Sequence, residues 1–192
     1  MIRKVRFEEI AEIFTGVRVK RYQKDKGKGL VTKQPILKKT YSENSSKLEC
    51  DYEEVSKINE KFFSRKNDIV ILLAGSKVSK IEEEGIIIPM YYAIVKVNYG
   101  YDPDFIYHVL KSEVFPRELN RLMEGTSLKI LKSRDLKEMS LPVPDYEIQR
   151  EYGELFKLMD QRIALKKESI LIEEEIQQSL LDNLLKGDND ER

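Results

Sequence analysis

Hydrophobic positions recur along this chain with two different periods, and the change of period marks its architecture. Apolar residues three or four positions apart in segments 7–14 and 103–123 predict short amphipathic helices. Unbroken apolar runs rich in β-branched residues, at 69–74 and 91–97, predict buried strands. We therefore expect an α+β fold, in which an antiparallel or mixed sheet of a mixed α/β domain packs against helices.

Shorter segments complete this domain. Strands are predicted at 77–81 and 86–88, joined as a hairpin, and at 128–131 and 139–143. Gly16 follows segment 7–14 at the position where glycine commonly ends a helix. Segments 17–29 and 40–60 are polar and poorly periodic, which indicates loops, with a short strand at the start of the first and one helical turn in the second.

From residue 146 to about 185 the chain contains no proline, and apolar residues keep a helical spacing over roughly ten turns. This pattern predicts one long C-terminal helix with a coiled-coil-like stripe that shifts near residues 165–170. A domain of residues 1–144 cannot cover such a stripe along its whole length, so the helix of residues 145–186 requires a partner helix, followed by a polar tail at 187–192. The candidate partner-helix residues are Tyr152, Phe156, Met159, Ile163, Ile172, Ile176 and Leu180; for the first three, packing inside the same chain is the alternative.

Composition narrows the classes of protein that fit this pattern. Lys and Arg number 34, as do Asp and Glu, so the formal net charge is zero, which argues against a protein that coats DNA without specificity. Basic residues nevertheless concentrate at one end, since residues 1–50 contain 13 Lys and Arg against 6 Asp and Glu. No apolar run is long enough for a membrane span, no signal peptide is visible, and the single cysteine, Cys50, excludes an internal disulfide. These features predict a cytoplasmic protein.

Four sets of segments occur in a fixed order: FEEIAEIFTG at 7–16, DIVILLAGSK at 68–77, GTSLKI at 125–130 with LKEMSLPVP at 136–144, and the start of the long helix at 147–163. Together they cover nearly the whole chain. This ordered set resembles half of a type I restriction–modification DNA specificity subunit, the subunit that carries target-recognition domains and spacer helices.

The resemblance implies a recognition domain whose loops enter the DNA major groove, and a helix that acts as a ruler and docks methyltransferase (modification) subunits and, through them, the restriction subunit. A full member carries two recognition domains and two helices, whereas this chain carries one of each. We therefore expect a homodimer that reads a divided site on double-stranded DNA. The alternatives are the recognition fragment of a fused methyltransferase–nuclease, and a non-catalytic mimic that competes for modification subunits.

Basic and small polar residues in the predicted loops are the candidate DNA contacts, because Lys and Arg neutralise phosphates and Arg also reads guanine. They are Arg18, Lys20, Arg21, Lys24, Lys26 and Lys28 in the basic stretch, Ser76, Lys77 and Lys80 after the central strand, and Thr126, Ser127 and Lys129 in the GTSLKI turn. Solvated loops or ordinary turns are the alternative for each group. For Tyr22, Tyr91 and Tyr92, packing is favoured over contact with DNA.

The sequence offers no candidate catalytic residue, metal ligand or cofactor site. It contains no phosphate-binding loop and no Gly-rich methyl-donor motif. The single histidine, His108, lacks the Cys partners of a zinc site. Asp135-Leu136-Lys137 is too short a pattern to indicate a nuclease. We expect no enzymatic activity from this chain alone.

Overall fold

The computed structural model describes residues 1–23, 32–38, 48–123 and 131–187. Within these ranges the elements follow in this order: β1 (Arg3–Arg6), α1 (Phe7–Ile10), β2 (Ala11–Thr15), α2 (Lys20–Gln23), β3 (Thr32–Leu37), β4 (Cys50–Val55), a 3-10 turn (Glu60–Phe62), β5 (Ile69–Leu72), β6 (Val78–Lys80), β7 (Tyr92–Val97), α3 (Pro103–Lys111), α4 (Val114–Met123), α5 (Ser133–Glu138), β8 (Ser140–Val143) and α6 (Tyr146–Gly187). The mixed α/β domain with a long C-terminal helix confirms the expected fold class.

The predicted central strand lies inside an antiparallel sheet with the order β2-β7-β5-β6. Side chains alternate across it, so Ile69 and Ile71 face a cluster that includes Ile106 and Leu110 of α3. Val70 and Leu72, the alternate residues of β5, face a second apolar cluster on the opposite side of the sheet. Because both faces of β5 are covered, its sequence is continuously hydrophobic rather than alternating.

The helix predicted at 7–14 is wrong in its second half. Only Phe7–Ile10 is helical, and Ala11–Thr15 forms β2, which pairs with β7. Ala11 and Ile13 are buried while Glu12 between them is exposed, the alternation of an edge strand. The apolar spacing fits both periods over so short a segment, and the pairing with β7 decides between them.

The predicted hairpin between 77–81 and 86–88 is also wrong. β6 pairs with β5 instead, and Ile87 forms single bridges to Ile36 and Phe63. Strands β3 and β4 pair with each other, whereas the sequence indicated a loop for the segment that contains β4 and no element for residues 32–37. Their polar and apolar residues do not alternate regularly: in β3 three polar residues precede Pro35, Ile36 and Leu37, so the period of two that predicts a strand is missing.

The chain forms two compact units, Met1–Gly153 and Glu154–Arg192. The first two turns of α6 therefore belong to the first unit, whereas the sequence placed the boundary at 144/145. Helices α3 and α4 confirm the predicted helical segment 103–123. In α3, Ile106 and Leu110 are fully buried, and Phe105 and Val109 are half-buried. Helix α6, which begins at Tyr146, confirms the prediction of one long C-terminal helix, and it continues through residues 165–170 where the apolar stripe shifts.

Candidate nucleic-acid interface

Three turns meet at one end of the four-stranded sheet. β2 ends, β5 ends and β7 begins at this end, because the strands are antiparallel in the register Thr15↔Ala93 and Leu72↔Tyr92. Backbone hydrogen bonds hold the turns side by side: the Gly16 N–H donates to Tyr92 O and the Leu73 N–H donates to Tyr91 O, both at 2.9 Å. We call residues 16–23, 73–77 and 88–91 the loop edge.

Gly16 allows the close approach on which the loop edge depends. A Cβ atom at this position would lie 2.3 Å from the backbone oxygen of Pro89 and 2.4 Å from that of Ile88. Both atoms belong to the backbone and cannot rotate away. The sequence suggested that Gly16 ends a helix, whereas its role in the structure is to let two segments of the loop edge pass each other.

The basic stretch begins on this edge. Arg18, Lys20 and Arg21 are exposed, and a short turn fixes their backbone through hydrogen bonds such as Arg21 N–H to Arg18 O, at 3.1 Å. The Ser56 N–H donates to Tyr22 O at 3.1 Å and anchors the turn to the end of β4. Within the described part of the chain these three cations form no ion pair, so their charge is available to an anionic partner. Lys24, Lys26 and Lys28 lie outside the described residues.

Ser76 and Lys77 lie in the second turn of the loop edge. Gly75 and Ser76 both adopt a left-handed backbone conformation, with φ of 107° and 58°. The tight turn returns the chain to β6 through a hydrogen bond of 2.8 Å from the Leu72 N–H to Lys77 O. The sequence thus correctly identified a turn after the central strand, and the structure brings it to the same end of the sheet as Arg18.

Lys80 lies at the other end of β6, where it is in register with Ile69. Its ammonium group forms ion pairs with Asp104 of α3 and, at 3.2 Å, with Glu82. Burial alone would lower the pKa of Lys80, but the hydrogen bond and charge of Asp104, together with Glu82, raise it above its usual value. The structure therefore does not bring Lys80 to the loop edge.

The predicted GTSLKI contacts Thr126, Ser127 and Lys129 lie outside the described residues. Leu131, which follows them, donates its N–H to Leu73 O at 3.1 Å, and Thr15 Oγ1 donates to Ser133 Oγ at 3.1 Å. The described chain downstream of this segment is therefore attached to the loop edge.

A groove of about 400 Å³ opens beside the basic turn. Its walls are residues 17–20, Gln23, Ile36, Glu53 and residues 89–91. We call it the Glu53 groove. The Gln23 side-chain amide donates a hydrogen bond to the Glu53 carboxylate. The sequence indicated neither residue, because the groove exists only when β4 and the basic turn pack together. Glu53 is far from the basic turn along the chain, so no sequence pattern connects them.

Tyr91 and Tyr92 lie where the loop edge meets β3. The Tyr91 hydroxyl donates to Leu37 O at 3.0 Å and the Tyr92 hydroxyl to Lys38 O at 2.9 Å. Burial, with smaller contributions from Tyr92, Glu53 and Asp51, raises the pKa of Tyr91. Tyr22 is half-buried against an apolar cluster with Val17 and Ile58. These contacts agree with the expectation that the three tyrosines pack within the protein.

The apolar residues predicted to meet a partner helix lie on α6. Six of them are exposed and Phe156 is half-buried. Other apolar side chains on the helix are exposed as well: Leu155, Leu158, Leu165, Ile170, Leu171, Leu181, Leu184 and Leu185. Tyr152 belongs to the first unit, where it lines a mostly apolar groove of about 430 Å³ together with Phe105, Val109 and Ile148.

His108 and Asp135 make contacts that are typical of structural residues and not of catalytic ones. His108 is half-buried in α3, with its ring centroid 5.2 Å from that of Tyr107. The Asp135 carboxylate accepts a hydrogen bond from the backbone N–H of Lys132 at 2.9 Å.

In the described ranges, no three Cys, His, Asp or Glu side chains come together as a metal site would require. Among the described helices, none combines the length and hydropathy needed to cross a membrane.

Comparison with known proteins gives three kinds of match. A family model described as "Type I restriction modification DNA specificity domain" matches residues 2–176. The Type I restriction enzyme MjaVIII specificity subunit of Methanocaldococcus jannaschii is 29% identical over 86 residues, which are 45% of this chain and 20% of that protein.

Solved structures share the fold at low sequence identity. The HsdS subunit from Thermoanaerobacter tengcongensis matches with a TM-score of 0.54 and 18% identity over 88% of this chain and 39% of its own. The Type-I restriction-modification system S subunit from M. genitalium matches with a TM-score of 0.58 and 18% identity over 88% of this chain and 41% of its own. The chain thus spans about two fifths of these solved chains.

Proposed function

The chain belongs to the family of type I restriction modification DNA specificity domains, and from this premise we propose that it recognises a DNA sequence and contributes no catalysis of its own. Specificity subunits of this family are DNA-recognition components of type I restriction–modification systems. One observation supports the proposal most directly: Arg18, Lys20 and Arg21 are exposed on the loop edge, without ion pairs in the described part of the chain.

Exposed cations in one turn, without ion pairs to any described residue, favour a polyanion as the partner. Lys and Arg that contact phosphates displace condensed counterions, which is the main sequence-independent contribution to DNA binding. Ser76 and Lys77, on the neighbouring turn, extend the proposed contact surface, and the candidates outside the described residues stay in the proposal on sequence grounds. Lys80 is left out of it because its ammonium group is paired with Asp104 and Glu82.

The proposed division of labour follows the family. Residues 1–144 would recognise DNA, and residues 145–186 would form the spacer and dimerisation helix, with residues 187–192 as a tail. A full family member contains two recognition domains and two helices, and two copies of this chain supply the same set. Methyltransferase subunits would dock on the assembled dimer, and the restriction subunit would join through them, in the cytoplasm.

The charge pattern of α6 supports self-association in an antiparallel arrangement. Residues 154–167 contain four basic and two acidic side chains, whereas residues 168–185 contain five acidic and no basic ones. Two copies in opposite directions place the basic half of each helix beside the acidic half of the other, while a parallel pair places like charges together. The exposed apolar side chains of the helix would then be covered by the partner.

DNA binding by the full chain tests the proposed function. We expect the double variant Arg18→Ala/Lys20→Ala to bind duplex DNA more weakly and to lower the slope of log affinity against log salt by about 2, roughly one for each lost phosphate contact. The matched control is Arg65→Ala/Lys66→Ala, which removes two exposed cations from the turn before β5, at the opposite end of the sheet. Equal losses in both variants would contradict a specific interface at the loop edge.

Size-exclusion chromatography with light scattering tests the assembly. A dimer is the expected result. A chain that stays monomeric and also fails to co-purify with methyltransferase subunits would contradict the proposed homodimer.

A further inference from the structure

The Glu53 groove places a carboxylate beside the cations of the basic turn. Arg18, Lys20 and Glu53 of β4 all line this groove. Glu53 is half-buried, and the side chain of Gln23 holds it by a hydrogen bond. A negative charge at this position would lower the affinity of a surface that bound only phosphates, because it repels them. The carboxylate therefore indicates a different kind of contact.

The chemistry of DNA limits what a carboxylate can bind there. In the major groove the amino groups of cytosine (N4) and adenine (N6) donate hydrogen bonds, and Glu and Gln side chains accept or pair with them. Gln23 has a second N–H and a carbonyl oxygen besides the N–H that it gives to Glu53. The pair therefore presents both an acceptor and a donor to a base edge, which phosphate oxygens, being acceptors only, cannot match.

The protein backbone holds this pair in place. The Ser56 N–H to Tyr22 O hydrogen bond joins the basic turn to the end of β4, and Glu53 is in register with Gln34 of β3. Met90, 49% exposed, lies on the same groove and offers an apolar surface of the kind that contacts a thymine methyl group. A reading group on fixed elements loses little conformational entropy on binding.

We propose that the Gln23–Glu53 pair reads the amino group of a cytosine or adenine in the major groove and so sets the base preference at one position, while Arg18 and Lys20 contact the flanking phosphates. This inference rests on the proposed function, because it assumes that the loop edge faces DNA.

Selection from a pool of DNA duplexes with randomised sequence, followed by sequencing of the bound fraction, tests the proposal with the full chain. We expect Glu53→Gln to change the preferred base at one position of the half-site, with a loss of preference of about tenfold. Gln23→Leu should weaken the preference at the same position. Glu54→Gln is the matched control, since Glu54 is the exposed neighbour of Glu53 in β4 and does not line the groove; it should leave the selected sequence unchanged.

The failure of this inference differs from the failure of the proposed function. If Glu53→Gln melts like the wild-type protein and selects the same sequence, the Gln23–Glu53 pair does not read a base. This conclusion holds even if Arg18→Ala/Lys20→Ala loses DNA binding, a result that would support the proposed function. If both Glu53→Gln and Glu54→Gln change the preference equally, loss of negative charge and not base reading is responsible, and the inference is also wrong. A wild-type chain that selects no sequence, alone or with methyltransferase subunits, contradicts the proposed function itself.

Discussion

The backbone N–H of Asp102 donates a hydrogen bond of 3.2 Å to the side-chain oxygen of Gln149, which joins the start of α3 to the first turn of α6. Gln149 is only 1% exposed, and its amide nitrogen donates to Pro144 O at 2.8 Å. One turn later, a Cβ atom at Gly153 would lie 2.0 Å from Asp102 Oδ1. The first two turns of α6 are therefore fixed in the first unit by a close and specific contact.

Replacing Gln149 should weaken this joint. Gln149→Ala leaves the Asp102 N–H and the Pro144 carbonyl without their partner, so we expect the free energy of unfolding to fall by about 2 kcal/mol. Gln161→Ala, on an exposed position of the same helix, is the control and should change it by less than about 0.5 kcal/mol. Urea denaturation followed by circular dichroism measures both, and similar values for the two variants would show that the buried amide contributes nothing.

Asp102 should make stability depend on pH. Burial raises the pKa of its carboxyl above the usual 3.8, against the opposing effect of the Phe105 N–H, which donates to it at 2.8 Å. The folded state therefore binds this proton more readily than the unfolded state, and Asp102 contributes more stability as pH falls through the folded-state pKa towards 3.8.

Asp102→Asn keeps the helix cap but removes the charge. We expect the variant to be more stable than wild type at pH 7, by up to about 1 kcal/mol, and to lose this advantage once the wild-type carboxyl is protonated. Asp102→Ala removes the cap as well and should cost about 1 kcal/mol relative to Asp102→Asn at either pH. Thermal melts at pH 7 and below pH 4 distinguish these outcomes; an unchanged melting temperature for Asp102→Asn at pH 7 would mean that burial of the charge has no cost.

Lys80 should contribute to stability and not to DNA binding. The Lys80 side chain is 10% exposed and that of its partner Asp104 is 16% exposed. Lys80→Met would leave the half-buried Asp104 carboxylate without this cation, so the free energy of unfolding should fall by about 2 kcal/mol. Because the pKa of Lys80 is raised above 10.5, its contribution is full below that pH and is lost only as pH rises through the folded-state pKa. Denaturation at pH 6 and pH 8 should give the same loss. If Lys80→Met lowers DNA affinity without lowering stability, this prediction is wrong and Lys80 belongs to the DNA-contact surface.

Charge reversal in α6 tests the antiparallel homodimer. Lys166→Glu/Lys167→Glu places acidic residues against the acidic half of the partner helix and should raise the dimer dissociation constant about tenfold, from several pairs worth about 0.5 kcal/mol each. Adding Glu173→Lys/Glu174→Lys to the same chain should restore dimerisation, since the two halves have then exchanged charge. Analytical ultracentrifugation at low salt measures each variant. Dimers that are weakened further by the second pair would contradict the antiparallel arrangement.

The long helix and the central strand illustrate what local sequence determines. A helical period over ten turns has no competing interpretation. An apolar run of six residues that begins with three β-branched ones and lies between turn residues has few, so both elements follow from residue type and spacing alone. Segment 7–14 is too short for its period to be unique, and its second half became a strand because β7 offers it hydrogen-bonding partners. The pairing of β3 with β4 had no local signal either.

Among the candidate contacts, the sequence by itself determined residue chemistry: cations after β2, and a small polar turn after β5. Only the tertiary structure decided which of them share a surface. Antiparallel pairing brings Arg18 and Ser76 to one end of the sheet, and the same pairing carries Lys80 to the other end, where Asp104 neutralises it. Glu53 joins Arg18 for the same reason, because distance in a folded chain is set by strand register and side-chain packing and not by separation along the sequence.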